Sequence, residues 1–144
     1  YEKLVVALPQ GHPLAERVEA LNLIDLAEEP LIIFPQTPRP SFADQVLSIF
    51  ADRSLKPERI IEVRELQIAL GLVAAGEGVS IVPKSLYGML RNDIHFMPIN
   101  DANAVSPVIM SMRQHDHSEN LGKLLDIIYT LYDQAGVVYT REQI

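Results

Sequence analysis

Short apolar runs alternate with segments in which apolar residues recur at helical spacing, and this alternation constrains the fold more than any other feature. Short apolar runs between turn-forming residues are typical of buried strands, whereas apolar residues at every third or fourth position mark a helix face. The predicted strands are residues 4–8, 31–34, 59–63, 79–82, 94–97 and 108–112. The predicted helices are residues 23–28, 42–50, 66–74, 85–90 and 120–134. This order predicts an α/β domain with a mainly parallel sheet, an architecture that places ligands at the carboxyl ends of its strands.

A proline-rich loop that contains Arg39 runs directly into the start of the second predicted helix. Ser41 is its predicted N-cap, because residues 41–44 have the S-x-x-D pattern of a capping box. A helix N-terminus also offers N–H donors and partial positive charge to an anion. Residues 36–44 are therefore a candidate carboxylate site, with Ser41 as a hydroxyl donor and Phe42 as an apolar wall. Taken alone, these residues favour a structural role, in which Ser41 caps the helix and Phe42 enters the core.

Composition and charge narrow the possible functions. The 144 residues are 48% hydrophobic, which is enough for one domain with a substantial core. There is no cysteine, so disulfides, thiolate metal sites and cysteine nucleophiles are excluded. The net charge of -7 opposes binding to the DNA backbone, and we expect no DNA binding by these residues alone. Neither a long apolar run nor a signal peptide is recognisable, so we expect a cytoplasmic location and no membrane contact.

No strong catalytic motif is present. The sequence has no G-x-S-x-G elbow, no H-E-x-x-H helix and no common glycine-rich nucleotide-binding motif. The run His115-Asp116-His117 comes nearest to a metal motif, but it has no obvious further ligands and is interpreted as a solvated loop. His12 and His95 are interpreted as ordinary turn and strand residues. The sequence therefore predicts no catalytic residue, no metal site and no cofactor.

Two segments resemble the effector-binding domain of LysR-type transcription regulators. They are residues 4–15, LVVALPQGHPLA, and residues 71–83, GLVAAGEGVSIVP. Residues 38–44, PRPSFAD, and residues 62–67, EVRELQ, are similar to the muconate-responsive regulators of benzoate and catechol degradation. The resemblance covers nearly the whole chain and implies a transcription regulator rather than an enzyme.

The resemblance also implies an architecture. Effector domains of this family have two Rossmann-like lobes joined by two crossing strands, like a periplasmic binding protein, with the effector in the cleft. Residues 1–8 would be a crossing strand, residues 9–104 lobe II, and residues 105–144 the return strand and the C-terminal helix and tail of lobe I. Most of lobe I and the N-terminal helix-turn-helix domain would lie outside this chain, which fits its start at Tyr1 rather than Met. The expected fold class is α/β, one Rossmann-like lobe with a remnant of the other.

By the same resemblance, Pro40, Ser41 and Phe42 occupy the positions that bring backbone donors and an aromatic wall to a dicarboxylate. Val108 occupies an apolar position beside it. This agrees with the argument from the helix start. The implied effector is a small carboxylate, first of all cis,cis-muconate, with a chlorinated muconate, benzoate and other small acids left open.

Further implications concern a second pocket and the partners. Glu65 and Tyr132 fall at positions of a pocket that holds an aromatic acid in some relatives, although the basic residue expected just before Tyr1 is not in this chain. The full-length protein is expected to be a homotetramer that contacts promoter DNA through its N-terminal domain.

Two other classes of protein stay open. A transporter-type solute-binding protein shares the lobed architecture, but the sequence has no export signal and resembles the regulators. An α/β enzyme acting on a small acid would need a nucleophile, a base or a metal set that these residues do not supply. The sequence immediately upstream of Tyr1 would distinguish the classes, because a helix-turn-helix indicates a regulator and a cleaved signal peptide indicates a solute-binding protein.

Overall fold

The computed structural model describes residues 1–89, 91–113 and 118–141. The chain divides into two compact units, Tyr1–Val108 and Ile109–Ile144. The strands are β1 (Glu2–Pro9), β2 (Pro30–Ile33), β3 (Arg59–Glu62), β4 (Ser80–Pro83), β5 (Ile94–Pro98) and β6 (Val105–Ser106). The helices are α1 (Leu23–Ala27), α2 (Phe42–Ala51), α3 (Leu66–Ala74) and α4 (Glu119–Ala135), with short 3-10 turns at Pro13–Glu16 and Lys84–Gly88. The predicted helix at 85–90 is the second of these turns, and Leu90 lies outside the described residues.

Strand β1 lies between β4 and β5 and runs antiparallel to both. Strands β2 and β3 are parallel, and a parallel bridge between Leu31 and Val79 joins β2 to the residue before β4. Strands β2 to β5 therefore run in one direction and β1 runs in the other. The prediction of a mainly parallel sheet is correct for β2 to β5 and wrong for β1, because apolar periodicity identifies buried positions but not strand direction.

The last predicted strand, at residues 108–112, is not formed. Instead, β6 covers only Val105 and Ser106, which pair with Lys3 and Glu2. A strand needs a neighbour for its N–H and C=O groups. Glu2 is the first residue of β1 and the next residue after β6 is Pro107, which has no N–H, so the ladder ends there.

The core lies on both faces of β1, which explains its uninterrupted apolar run. Leu4, Val6 and Leu8 belong to the cluster that includes the apolar face of α2. Val5 and Ala7 belong to the cluster that includes the apolar face of α3. The side chains of α2 that enter the first cluster are Ala43, Val46, Ile49 and Phe50. Burial of this face fixes the orientation of α2 and of its N-terminus.

Two glycines shape the turn from α3 to β4. Gly76 has a φ of +82°, a left-handed conformation that side chains disfavour. Gly78 lies against Pro30, and a Cβ atom there would be 2.3 Å from the Pro30 carbonyl oxygen. The missing side chain therefore allows the start of β4 to lie directly beside β2.

The second unit contains α4. Ser118 caps it by accepting a hydrogen bond from the Leu121 N–H at 3.3 Å, and Gly136 ends it with a φ of +66°. Tyr139 stacks on Tyr129 with ring centres 5.0 Å apart. Among the described residues, no helix has the length and apolar character that crossing a membrane requires.

Candidate functional site

The candidate site lies where the loop after β2 enters α2. Strand β2 ends at Ile33, and the chain passes through the proline-rich segment to Ser41, the residue before α2. Helix α2 therefore starts beyond the carboxyl end of β2, the edge at which open α/β sheets bind ligands. Because the Val46, Ile49 and Phe50 side chains are buried, the helix N-terminus is held in place by the core.

The predicted capping box is confirmed. The Ser41 hydroxyl accepts a hydrogen bond from the Ala43 N–H at 3.3 Å and donates one to the Pro35 carbonyl at 3.2 Å. In return, the Ser41 N–H donates to the Asp44 carboxylate at 2.7 Å. Ser41 is half-buried, so the cap lies at the edge of the core and within reach of solvent.

The Asp44 carboxylate also binds Arg39. The Arg39 Nε atom lies 2.6 Å from Asp44 Oδ2, and the guanidinium makes a second hydrogen bond to Oδ1. A longer ion pair of 3.7 Å joins the same guanidinium to Glu62. Hydrogen bonds from Arg39, with the Ser41 N–H as a further contributor, lower the pKa of Asp44 from its ordinary 3.8 to about 2. Arg39 therefore neutralises the acidic residue nearest to the helix start.

One backbone donor at this helix start is open. The Ser41 and Ala43 N–H groups are bound as above, and the Asp44 and Gln45 N–H groups donate to the Ser41 carbonyl at 3.0 and 3.2 Å. Within the part of the chain that the structure describes, no acceptor is found for the Phe42 N–H. A carboxylate at the helix start would meet this donor and the positive end of the helix dipole.

The residue with the open N–H, Phe42, also contributes an aromatic ring to this helix start. The Phe42 ring is half-buried against the core, and its centre lies 5.3 Å from that of Phe34. Pro40, on the other side of Ser41, is exposed and has no N–H. The structure thus brings Pro40, Ser41 and Phe42 together at one helix start, with polar donors and an apolar wall side by side.

The other predicted site residues lie elsewhere in the chain. Val108 is the last residue of the first unit and is 68% exposed. Glu65 is the exposed N-cap of α3, and its side chain makes no capping hydrogen bond. Tyr132 belongs to α4 in the second unit, with its ring centre 5.3 Å from that of Tyr139. The roles of Val108, Glu65 and Tyr132 stay predictions.

Gln45 is a residue that the sequence analysis missed. Its amide donates to the Val105 carbonyl at 2.8 Å and accepts a hydrogen bond from the Ser106 hydroxyl at 3.1 Å. These bonds join the first turn of α2 to β6, the strand that leads to Val108. No local pattern could have indicated this contact, because the partners are 60 and 61 residues apart.

The described residues contain no cluster of three or more His, Cys, Asp or Glu side chains suited to a metal ion. His12 accepts a hydrogen bond from the Leu14 N–H through Nδ1 at 3.1 Å, and its Nε2 lies 3.4 Å from Glu29, so it stabilises a turn. His115, Asp116 and His117 lie outside the described residues.

The family model and the sequences of known regulators both match this chain. The family model for the LysR substrate binding domain matches residues 1–131. The chain is 37% identical over 142 residues to the HTH-type transcriptional regulator BenM of Acinetobacter baylyi, covering 98% of this chain and 44% of BenM. It is 44% identical over 131 residues to the probable cat1 operon transcriptional activator of Acinetobacter lwoffii, covering 91% of this chain and 43% of that protein.

Solved structures agree with the sequence matches. The BenM effector binding domain, solved with its effector benzoate, superposes with a TM-score of 0.89 at 35% identity. That match covers 99% of this chain and 65% of the solved domain. In the sequence comparisons, the chain spans less than half the length of the two curated regulators, 44% of BenM and 43% of the cat1 operon activator.

Proposed function

This chain belongs to the LysR substrate-binding domain family, and on that basis we propose that it is the effector-sensing part of a LysR-type transcription regulator. The regulated genes would be those for degradation of aromatic compounds such as benzoate and catechol. The observation that supports this most directly is the match over 99% of the chain to the BenM effector binding domain, which was solved with benzoate. In this role the chain binds a small acid and catalyses no reaction.

The proposed primary site is the start of α2. One carboxylate of a small diacid, cis,cis-muconate in the first instance, accepts a hydrogen bond from the open Phe42 N–H. The Ser41 hydroxyl turns from the Pro35 carbonyl, 3.2 Å away, to donate to the same carboxylate. The Phe42 ring and, further along the chain, Val108 supply the apolar surroundings.

Arg39 makes this site compatible with an anion. An uncompensated Asp44 carboxylate, bound to the Ser41 N–H at 2.7 Å, would repel a second carboxylate at the same helix start. The bidentate contact from Arg39 offsets that charge. The net field at the Phe42 N–H is then set by the helix dipole, which attracts anions.

Effector binding acts on transcription only through a difference in affinity between two conformations. An effector that prefers one arrangement of the two lobes shifts the equilibrium by the amount of that preference. We propose residues 1–8 as a crossing strand, residues 9–104 as lobe II, and residues 105–144 as the return segment, which begins with β6, and part of lobe I. Promoter DNA would be contacted by an N-terminal domain, and the intact regulator would be a cytoplasmic homotetramer.

A second, more apolar pocket for an aromatic acid is part of the proposal. Glu65 and Tyr132 are its candidate residues in this chain. Benzoate is the corresponding ligand class, because BenM was solved with it. Charge reversal by Glu65→Lys should then change the response to benzoate and leave the response to muconate unchanged.

Titration of the intact regulator with cis,cis-muconate tests the primary site. Ser41→Glu places a carboxylate where the effector carboxylate binds, and loss of a charge-assisted hydrogen bond of about 1.5 to 3 kcal/mol weakens binding by about tenfold or more. The matched control is Ser48→Glu, the same change at an exposed position of the same helix. Calorimetry should give wild-type affinity for Ser48→Glu only, with circular dichroism verifying that both variants fold. Equal affinities for the two variants would place the effector elsewhere.

A further inference from the structure

A cavity of about 420 Å³ lies in the first unit, and no residue of α2 lines it. It is bordered by the beginning of β1, by the turn after β4 and by the segment after β5. Cavities of about 300 to 1,000 Å³ are the usual size for small-molecule sites. None of Pro40, Ser41, Phe42 and Val108 lines it, so it is separate from the proposed effector site.

Two lysines line this cavity. Leu4 pairs with Pro83 in the β1–β4 ladder, so Lys3 and Lys84 are the next residues outward on the two chains, and both line the cavity. Like charges at opposite positions of adjacent strands repel each other. Within the described residues, neither ammonium has a carboxylate at ion-pair distance. An anion between them would relieve the repulsion.

The nearby carboxylates are already bound. Asp101, which also lines the cavity, accepts hydrogen bonds from Arg53 at 2.7 and 3.1 Å, and these lower its pKa. The Glu2 carboxylate accepts a hydrogen bond from the Ser85 N–H at 2.6 Å. Because Arg53 balances the charge of Asp101, no carboxylate in the cavity lining offsets the charges of Lys3 and Lys84, although the whole chain has a net charge of -7.

The remaining lining combines apolar surface with one hydroxyl. The apolar lining residues include Leu4 and Val5, each 2% exposed, and Ala104, 3% exposed, so this part of the lining is held in place by the core. The Tyr87 ring lies under Lys84, with the ammonium 6.0 Å from its centre. Burial raises the pKa of Tyr87, which keeps its hydroxyl a neutral donor. A ligand that fits this lining has one anionic group and a compact apolar body.

We propose that this cavity is a further anion site, lined by neither Ser41 nor Glu65 nor Tyr132, which binds a small monocarboxylate with its charged group between Lys3 and Lys84 and its apolar body against the apolar lining residues. The site differs from the start of α2 in its donors, because ammonium groups replace backbone N–H groups. A lysine ammonium group can bind a carboxylate in many orientations, because it acts as a point charge. The site therefore favours a compact monoacid over a particular diacid shape. This assignment does not depend on the proposed role of Ser41.

The test uses the whole 144-residue chain with benzoate as the probe and its neutral isostere benzamide as the ligand control. Benzoate should shift the backbone NMR signals of Ala102, Ala104 and Val105. Lys3→Gln and Lys84→Gln should each weaken benzoate binding by about tenfold, the equivalent of one charge-assisted contact. Lys56→Gln, at an exposed lysine outside the cavity, should leave it unchanged.

Two further variants test the position of the site and its charge. In the Ser41→Glu variant, benzoate should still shift the signals of Ala102 and Ala104, because the cavity is separate from the start of α2. The Lys84→Arg variant should still bind benzoate, because it keeps the positive charge. The proposal is overturned if Lys3→Gln and Lys84→Gln bind benzoate like wild type, if benzamide binds equally well, or if all shifts vanish with Ser41→Glu. NMR signals of β2 and α3 verify that each variant is folded.

Discussion

Gly78→Ala should destabilise the first unit strongly, because the backbones of β2 and the residue before β4 are in direct contact there. The new Cβ would lie 2.3 Å from the Pro30 carbonyl oxygen and 3.2 Å from the Pro30 Cβ, whereas ordinary contacts begin at 3.4 Å. The obstacle is backbone and a proline ring rather than the end of a flexible side chain. The two segments must therefore separate by about 1 Å to accommodate one methyl group.

The hydrogen bonds between β2 and the residue before β4 determine how much stability Gly78→Ala should cost. The Val79 N–H donates to the Pro30 carbonyl at 2.9 Å, and the Ile32 N–H donates to the Val79 carbonyl at 2.8 Å. Separation by about 1 Å stretches both bonds beyond the range of about 2.7 to 3.2 Å that such bonds need. Because Ile32 and Val79 are buried, each lost bond costs about 1 to 3 kcal/mol. We expect the free energy of unfolding to fall by about 2 to 6 kcal/mol if both bonds are lost.

Gly71→Ala is the matched control, since it adds the same methyl group to a glycine seven residues before Gly78. Gly71 lies inside α3, where a Cβ would meet nothing within 4 Å. Alanine is a better helix former than glycine by about 0.5 to 1 kcal/mol, so this variant should be more stable than wild type. Urea unfolding followed by circular dichroism measures both changes. Two changes of the same sign, or a loss below about 1 kcal/mol for Gly78→Ala, would refute the argument from backbone contact.

Three further outcomes are expected, two of which follow from charge. The pKa of Asp44 is depressed in the folded chain, so its contribution to stability is complete above pH 3.8 and is lost as the pH falls to about 2. The stability difference between wild type and Asp44→Asn, measured by urea titration, should shrink over that interval, and a constant difference would contradict the Arg39 contact. With a net charge of -7, residues 1–144 should give no band shift with operator DNA at physiological salt, and tight binding would be incompatible with this expectation. The intact regulator should sediment as an oligomer at micromolar concentration, whereas a strict monomer would contradict the proposed assembly.

The positions of helices and strands follow largely from local patterns. Strands β1 to β5 and helices α1 to α4 lie within about two residues of their predictions, because burial imposes the periodicity of each element on its own sequence. The direction of β1 could not be predicted in this way, since its residues are buried on both faces whichever way it runs. The strand predicted at 108–112 has the right composition but no neighbour to pair with among the described residues. Strand formation depends on a partner, and composition does not reveal whether one is present.

The same division between local and long-range information applies to the candidate site. The capping box was predictable, because Ser41 and Asp44 are three residues apart and interact within one helical turn. The hydrogen bond from Gln45 to Val105 was not, because it depends on how α2 packs against β6. Arg39 is an intermediate case. The sequence shows a cation near the helix start, but it does not show that this cation contacts Asp44.

That contact matters because a capping box with an acidic residue works against an anion site. The Asp44 carboxylate stabilises the helix N-terminus, but it also lies at the positive end of the helix dipole. A carboxylate of the proposed effector would bind at the same end and be repelled by it. Arg39 removes the competition by neutralising Asp44 while the Phe42 N–H stays open. The carboxylate site proposed at this helix start therefore depends on a cation that compensates Asp44. In this chain Arg39, two residues before Ser41, meets that requirement through its bidentate contact with Asp44.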